Sequence, residues 1–459
     1  METLETDIVR IACGAGFAGD RFDAAVPLVA ELSRHEGARY LMFEVLAERT
    51  LAVATLEKGR DPAGGGASPW LEKYLEPVLA DALASGVRIV TNMGAANPRA
   101  AARRVSALAE RLGVPAPKVA VLVGDDLRET HDDRAIRGLE IFDGADVLGS
   151  EILAANTYLG AREVAEALET GCDVLLVGRT TDSALALGPL IHEFGWEAEA
   201  LDRLAAGTLV GHLLECGGQV TGAYFADPGF KDVENLAHVG FPLAEVRADG
   251  SAVITKAPGT GGCVTPATVT EQILYEMHDP AAYLVPDVTL DVTGVALEQE
   301  GPNRVRVTGA RGRRPPKTLK ATVCVEAGFL GEGELTYAGP NGYARARLAA
   351  DVVAERLRSL GVQHRAGFDI LGAGAVHDRG DLARTDARGL PLDGEYRMRA
   401  AMMAPDRASA QTLVDEVNSL YCSGPAAGGG FRGYVTPQVA TASVLVPRDQ
   451  VRARAELVS

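Results

Sequence analysis

Positive charge is in short supply. The chain sets 45 lysines and arginines against 62 aspartates and glutamates, a formal net charge of -17, which repels nucleic acid and anionic lipid over the surface as a whole while leaving room for a local basic pocket. No apolar run reaches the roughly 20 unbroken residues that a membrane-spanning helix needs. Six cysteines (Cys13, Cys172, Cys216, Cys263, Cys324 and Cys422) are scattered without a C-x-x-C pair, which argues against a zinc knuckle and a disulfide framework and leaves free, mostly buried thiols as the expectation. The eight histidines show no H-x-x-x-H or H-E-x-x-H spacing, and there is no G-x-S-x-G elbow. Hydrolase and metalloenzyme chemistry are disfavoured accordingly, and no metal is expected. The opening METLETDIVR has neither the basic nor the apolar segment of a signal peptide, so a cytoplasmic location is expected.

What is present is the composition of a globular protein, 47% apolar and 23% charged over 459 residues. That length exceeds what one hydrophobic core ordinarily holds, so two domains are expected, residues 1–240 and 241–459. In the first, five short apolar runs, IVRIAC (8–13), RYLMFE (39–44), VRIVTN (87–92), KVAVLV (118–123) and DVLLVG (173–178), alternate with stretches of helical periodicity. The pattern predicts an α/β domain: a parallel, Rossmann-like sheet with helices on both faces. From about residue 240 hairpins take over. FPLAEVRADGSAVITKAPG reads as two strands about an Asp-Gly turn, residues 284–340 are strand-rich, 342–361 is a helix, and two more strand-helix units follow, so the second domain is expected to be a strand-rich α+β unit.

In a parallel sheet all strand C-termini share one edge, where ligands settle. The residues following each strand are therefore candidates for one polar rim: Asp20 and Arg21 after the first, Glu44 at the end of the second, Asn92 and Asn97 after the third, Asp125 after the fourth, Arg179 and Asp182 after the fifth. Asn97 and Asp182 also read as helix N-caps. The long connection 124–161 is expected to carry an extra element or a lid and to add Asn156 to the rim. Gly14, Gly16 and Gly19 have the G-x-G-x-x-G spacing of a dinucleotide turn, and Glu44 lies where a ribose-binding acid would fall. Asp20 and Arg21, however, occupy the point where a helix N-terminus should meet a pyrophosphate, which favours a substrate-binding or structural turn. Lys256, Gly261 and Gly262 precede a helix starting near Thr265 and could cradle an anion, or form only a tight turn. His212 beside Glu215 on an apolar helical face reads as a structural histidine.

GAGFAGDRFDAAVPLV, YLMFEVLAERTLA, IVTNMGAANP, CDVLLVGRTTDSALALGPLIHEFGW, ECGGQVTGAYFADP and APGTGGCVTPATVTEQILYEM, in this order, resemble the acyclic terpene utilization AtuA family, also catalogued as a domain of unknown function. GRTTDSA stands where the family pattern is closer to GR-V-A-D-P, and the further C-terminal domain of many relatives has no evident equivalent. The resemblance implies a place in the breakdown of branched isoprenoid acids. The expected activity is that of a cofactor-independent lyase or dehydratase acting on a branched or hydroxylated acyl-CoA or related carboxylic acid, CoA entering only as part of the substrate. Proton abstraction beside a carbonyl needs a general base and an oxyanion stabiliser, roles that fall to Glu44 or Asp182 and to Arg179, Asn92 and Asn97. Alternatives are an NAD(P)-dependent oxidoreductase using the glycine turn and a non-catalytic subunit of an acyl-CoA-processing complex. A homo-oligomer is expected, with a separate small chain as a further partner.

Overall fold

The computed structural model describes residues 7–372 and 394–458. Residues 373–393, within the region where the last strand-helix units are expected, lie outside the described residues.

The five apolar runs form strands β1 (Ile8–Cys13), β2 (Arg39–Phe43), β3 (Arg88–Thr91), β4 (Val119–Val123) and β7 (Val174–Val177). They pair in parallel, β1 with β2, β2 with β3, β3 with β7 and β7 with β4. Side chains alternate across the sheet, so each strand feeds two apolar layers. Ile11, Met42, Val90, Leu122 and Leu175 face one layer with α7 (Ala161–Leu168), α8 (Ala184–Phe194), α9 (Leu201–Glu215) and α10 (Pro266–Leu274). Ala12, Leu41, Ile89, Val121 and Leu176 face the other, with α1 (Ala25–Leu32), α3 (Leu71–Leu75), α4 (Leu79–Ser85) and α5 (Pro98–Leu112). Burial on both faces is why these strands read as continuous apolar runs.

The sheet is nonetheless mixed. The hairpin β8 (Pro242–Arg247) and β9 (Ala252–Lys256) lies antiparallel along β1, with Ile11 opposite Ala244, and β13 (Arg304–Thr308) and β12 (Ala296–Gly301) extend it further. On the other side β19 (Arg454–Leu457) pairs antiparallel with β4. Among the described residues ten strands run in the order β12-β13-β9-β8-β1-β2-β3-β7-β4-β19. This corrects the all-parallel Rossmann-like expectation: the hairpin occupies the open edge of β1 rather than founding a domain of its own. Its turn closes through Gly250 at φ +91°, a backbone conformation that glycine adopts without strain.

Two compact units result. Among the described residues the first contains 7–148, 152–324 and 441–458, and the second 149–151, 325–372 and 394–440, so the units do not part at residue 240. The first unit also holds a three-stranded sheet, β10 (Tyr283–Leu284), β11 (Thr289–Asp291) and β14 (Arg311–Arg313). The connection 124–161 carries α6 (Asp133–Arg137), β5 (Glu140–Asp143) and β6 (Ile152–Thr157). In the second unit, β16 (Ala366–Leu371), β17 (Gly394–Ala404) and parts of β15 (Thr318–Gly339) and β18 (Gly428–Pro447) pack on α11 (Gly342–Ser359) and α12 (Arg407–Ser423) about Tyr337, Met398 and Leu413.

Candidate functional site

Because β2, β3 and β7 are parallel neighbours, the residues that follow them meet. Glu44 leaves β2, Asn92 leaves β3 and Arg179 leaves β7, all three buried. Asn92 accepts a hydrogen bond at Oδ1 from the Val45 backbone N–H (2.9 Å) and donates from Nδ2 to Glu44 Oε1 (2.6 Å), so the backbone donor fixes which way the amide points. The Leu46 N–H also donates to Glu44 Oε1, at 3.2 Å. Arg179 donates through Nη1 to the Leu46 carbonyl, and its Nη2 lies 3.1 Å from Asp182 Oδ1. Its guanidinium carbon sits 4.1 Å from the centre of the Tyr158 ring, within cation–π range. Tyr158 follows β6, the strand delivered by the long connection, and its hydroxyl donates to Glu48. Asp125 Oδ2 accepts from the Arg179 backbone N–H and from Asn156 Nδ2, each at 2.9 Å.

The electrostatics divide the carboxyls. Burial, reinforced by the negative charge of Asp182 and opposed by Arg179 and the Asn92 amide, pushes Glu44 up to about 8. Burial also raises Asp182 against the pull of Arg179, and lifts Asp125 to about 6 despite its two donors. Glu48 goes the other way: the charge of Arg179 and the Tyr158 hydroxyl outweigh its burial and hold it below the usual carboxylate range. At neutral pH the site thus presents a protonated acid, an ionised carboxylate and a fixed guanidinium, a division of labour suited to proton transfer beside a developing negative charge.

Successive residues of one turn leave polar atoms bare. Arg179 Nε, Thr180 Oγ1 and Ser183 Oγ are buried and make no hydrogen bond, and Asp182 Oδ1 has only its ion pair with Arg179, whereas buried polar groups in folded proteins are nearly always satisfied. The Asp182 side chain retains 37% exposure against 4% for Arg179, so the cluster meets solvent at Asp182.

The other expected residues have local partners. Asn97 caps α5 through its Oδ1 and donates to the Pro62 and Gly65 carbonyls, the N-cap alternative; with Asp125 and Asn156 it lines a cleft of about 440 Å³ beside the cluster. Asp20 accepts from the Gly16 and Arg21 backbone N–H groups, and Arg21 pairs with Asp23. The glycine turn uses its backbone groups within the chain. The Gly14 N–H is spent on the Met42 carbonyl, the Gly16 N–H on Asp20, and α1 begins only at Ala25. Gly16 is small because a Cβ there would come within 2.4 Å of the Cys216 backbone. The 256–262 turn does likewise, the tight-turn alternative: Lys256 Nζ donates to the Thr260 carbonyl (2.6 Å), and the Gly261 and Gly262 N–H groups go to the His238 and Glu234 carbonyls.

Lys320, whose Nζ lies 4.9 Å from the Tyr158 ring centre, and Tyr283 carry no local motif and were not among the expected residues. Among the described residues no group of three or more His, Cys, Asp or Glu is arranged to hold a metal ion, and no helix is long and apolar enough to cross a membrane. No curated protein and no solved structure matches the chain. The family description "Acyclic terpene utilisation family protein AtuA" matches residues 9–457 of 459, and the chain belongs to that family.

Proposed function

We propose that the protein is a cofactor-independent enzyme of the lyase or dehydratase type, acting on a branched or hydroxylated acyl-CoA or the corresponding carboxylic acid. The observation that carries this reading is the buried Glu44 carboxyl, held at 2.6 Å by Asn92 and pushed up to about 8, beside the Arg179–Asp182 pair and its bare polar atoms. A protonated Glu44 gives its proton to a departing hydroxyl oxygen. The Arg179 guanidinium holds the carboxylate or the enolate oxygen where charge develops, and burial strengthens that attraction. Asp182 keeps Arg179 in place and lines the open side. The family's association with acyclic terpenes agrees with a branched acyl group.

The test is to follow loss of water from 3-hydroxy-3-methylbutanoyl-CoA and from the free acid by mass spectrometry. Turnover of either by the native chain, reduced about 100-fold or more in Glu44→Gln, is the expected result. Absence of turnover of both probes and of their unsaturated counterparts overturns the reading and favours a non-catalytic subunit.

A further inference from the structure

The second half of α9 is wedged into the same rim. A Cβ on Gly211 would lie 2.5 Å from the Ser183 carbonyl oxygen, and one on Gly16 2.4 Å from the Cys216 carbonyl carbon. Residues 211–216 therefore fill the space between the end of β1 and the Arg179–Ser183 turn, with only glycine fitting at the contacts. His212 is 1% exposed. Its Nδ1 is 2.9 Å from Glu215 Oε1, and its Nε2 has no hydrogen-bond partner. With Arg179 Nε, Thr180 Oγ1 and Ser183 Oγ, this nitrogen makes a fourth buried atom without a hydrogen bond.

We infer that His212 is the second acid–base residue of the site, with Glu215 as the positioning residue that fixes the Nδ1–H tautomer and leaves the Nε2 lone pair for the substrate. The inference rests on the lyase reading. A carboxylate on one ring nitrogen and an open second nitrogen is how an imidazole is prepared as a general base. The surroundings favour its protonated form. Burial disfavours the imidazolium, but the Glu215 contact, together with the backbone carbonyls of Gln272 and Ile273, outweighs burial and raises His212, while burial lifts Glu215 to about 7. The other titratable groups facing the pair include Asp182 from the turn, Glu44, Cys216, Glu276 and Tyr283, whose ring lies 5.6 Å from that of His212 between centroids.

The step balances as follows. His212 Nε2 takes the proton from the carbon beside the acyl carbonyl. The C–H electron pair becomes the second bond of the alkene, the C–O bond to the β-hydroxyl breaks, and that oxygen leaves as water with the Glu44 proton. The proton on Nε2 then returns to the Glu44 carboxylate through solvent, restoring both groups.

The test uses the full chain with ¹⁵N-labelled histidine, read by NMR with and without 3-hydroxy-3-methylbutanoate and its CoA thioester. Deuterium uptake beside the carbonyl in D₂O is measured in parallel. The expected result is a His212 that, above the pH of its own titration, is neutral and protonated at Nδ1, an Nε2 resonance that moves on adding either probe, and exchange slowed about 100-fold or more in His212→Gln with probe binding retained. In Glu215→Gln the acidic limb of the exchange profile moves to lower pH, because the imidazolium loses its stabilising carboxylate; a purely structural Glu215 would lower the rate without moving the limb. Native exchange in His212→Gln, or an Nε2 that stays unmoved by both probes, overturns the inference. If the native chain exchanges no deuterium, the lyase reading fails, and the Nε2 response alone then decides whether His212 touches ligand.

Discussion

Glu44 illustrates how one side chain couples the site to stability. Its folded pKa of about 8 lies above the ordinary 4.5, so the folded chain holds a proton that the unfolded chain releases between those values. Its contribution to stability is complete below about pH 4.5 and is lost as pH rises toward 8. Glu44→Gln keeps the shape without the ionisation, so thermal melts are expected to fall less between pH 5 and 8 in the variant, which should be the more stable of the two at pH 8 by roughly 1–3 kcal/mol. An unchanged pH slope would show that Glu44 titrates normally. Arg179 and Asp182 should separate in the same assay. Arg179→Ala removes a buried cation from the Leu46 carbonyl, Asp182 and the Tyr158 ring and is expected to cost about 3–5 kcal/mol. Asp182→Asn, which keeps an acceptor beside Arg179 at a half-exposed position, should cost less, about 1–3 kcal/mol, while abolishing turnover. Equal losses would mean that Asp182 is structural.

Among the elements, the pairing of β1 with β8 places Arg10 opposite Glu245, where Arg10 Nε reaches Glu245 Oε1 at 3.4 Å and Arg304 Nη2 reaches Oε2 at 2.7 Å. Arg10 is only 4% exposed at its side chain. Glu245→Ala removes the carboxylate facing that buried cation, which keeps its contact with the Glu36 carbonyl, and is expected to destabilise by about 3–5 kcal/mol, whereas the double change Arg10→Met with Glu245→Leu should restore most of the loss, because two apolar chains carry no desolvation cost. Urea titration of the three variants checks this, and a double variant as weak as the single one would place the cost in packing. The same register explains why the hairpin 242–256 belongs to the first sheet: its apolar face, Leu243 and Ala244 included, continues the two layers that β1 begins.

For the molecule as a whole, the parallel strands β1, β2, β3, β7 and β4 lie inside a ten-stranded sheet with apolar layers on both faces. Their amides should be the slowest to exchange with deuterium, slower than those of β12 at the sheet edge, because opening them requires breaking both layers. Mass-spectrometric exchange that shows β12 as protected as β3 would contradict this.

The sequence alone determined the local facts: five strands buried on both sides, their intervening helices, the hairpin about Gly250, and the polar residues at each strand end, since apolar periodicity and turn chemistry act over a few residues. It also carried the family resemblance. Only the tertiary structure decided which of those polar residues meet. Neighbouring strand order brought Glu44, Asn92 and Arg179 together, the long connection delivered Tyr158 and Asn156, and Asn97, Arg21 and Lys256 found partners within a few tens of residues or fewer, or, in the case of Arg21, also at the distant Val239 carbonyl. The reason is physical. Lattice-like pairing of strands and the wedging of α9 against Gly16 and Ser183 are contacts between segments far apart along the chain, and the desolvation that raises Glu44 and encloses His212 exists only once those segments have closed over them.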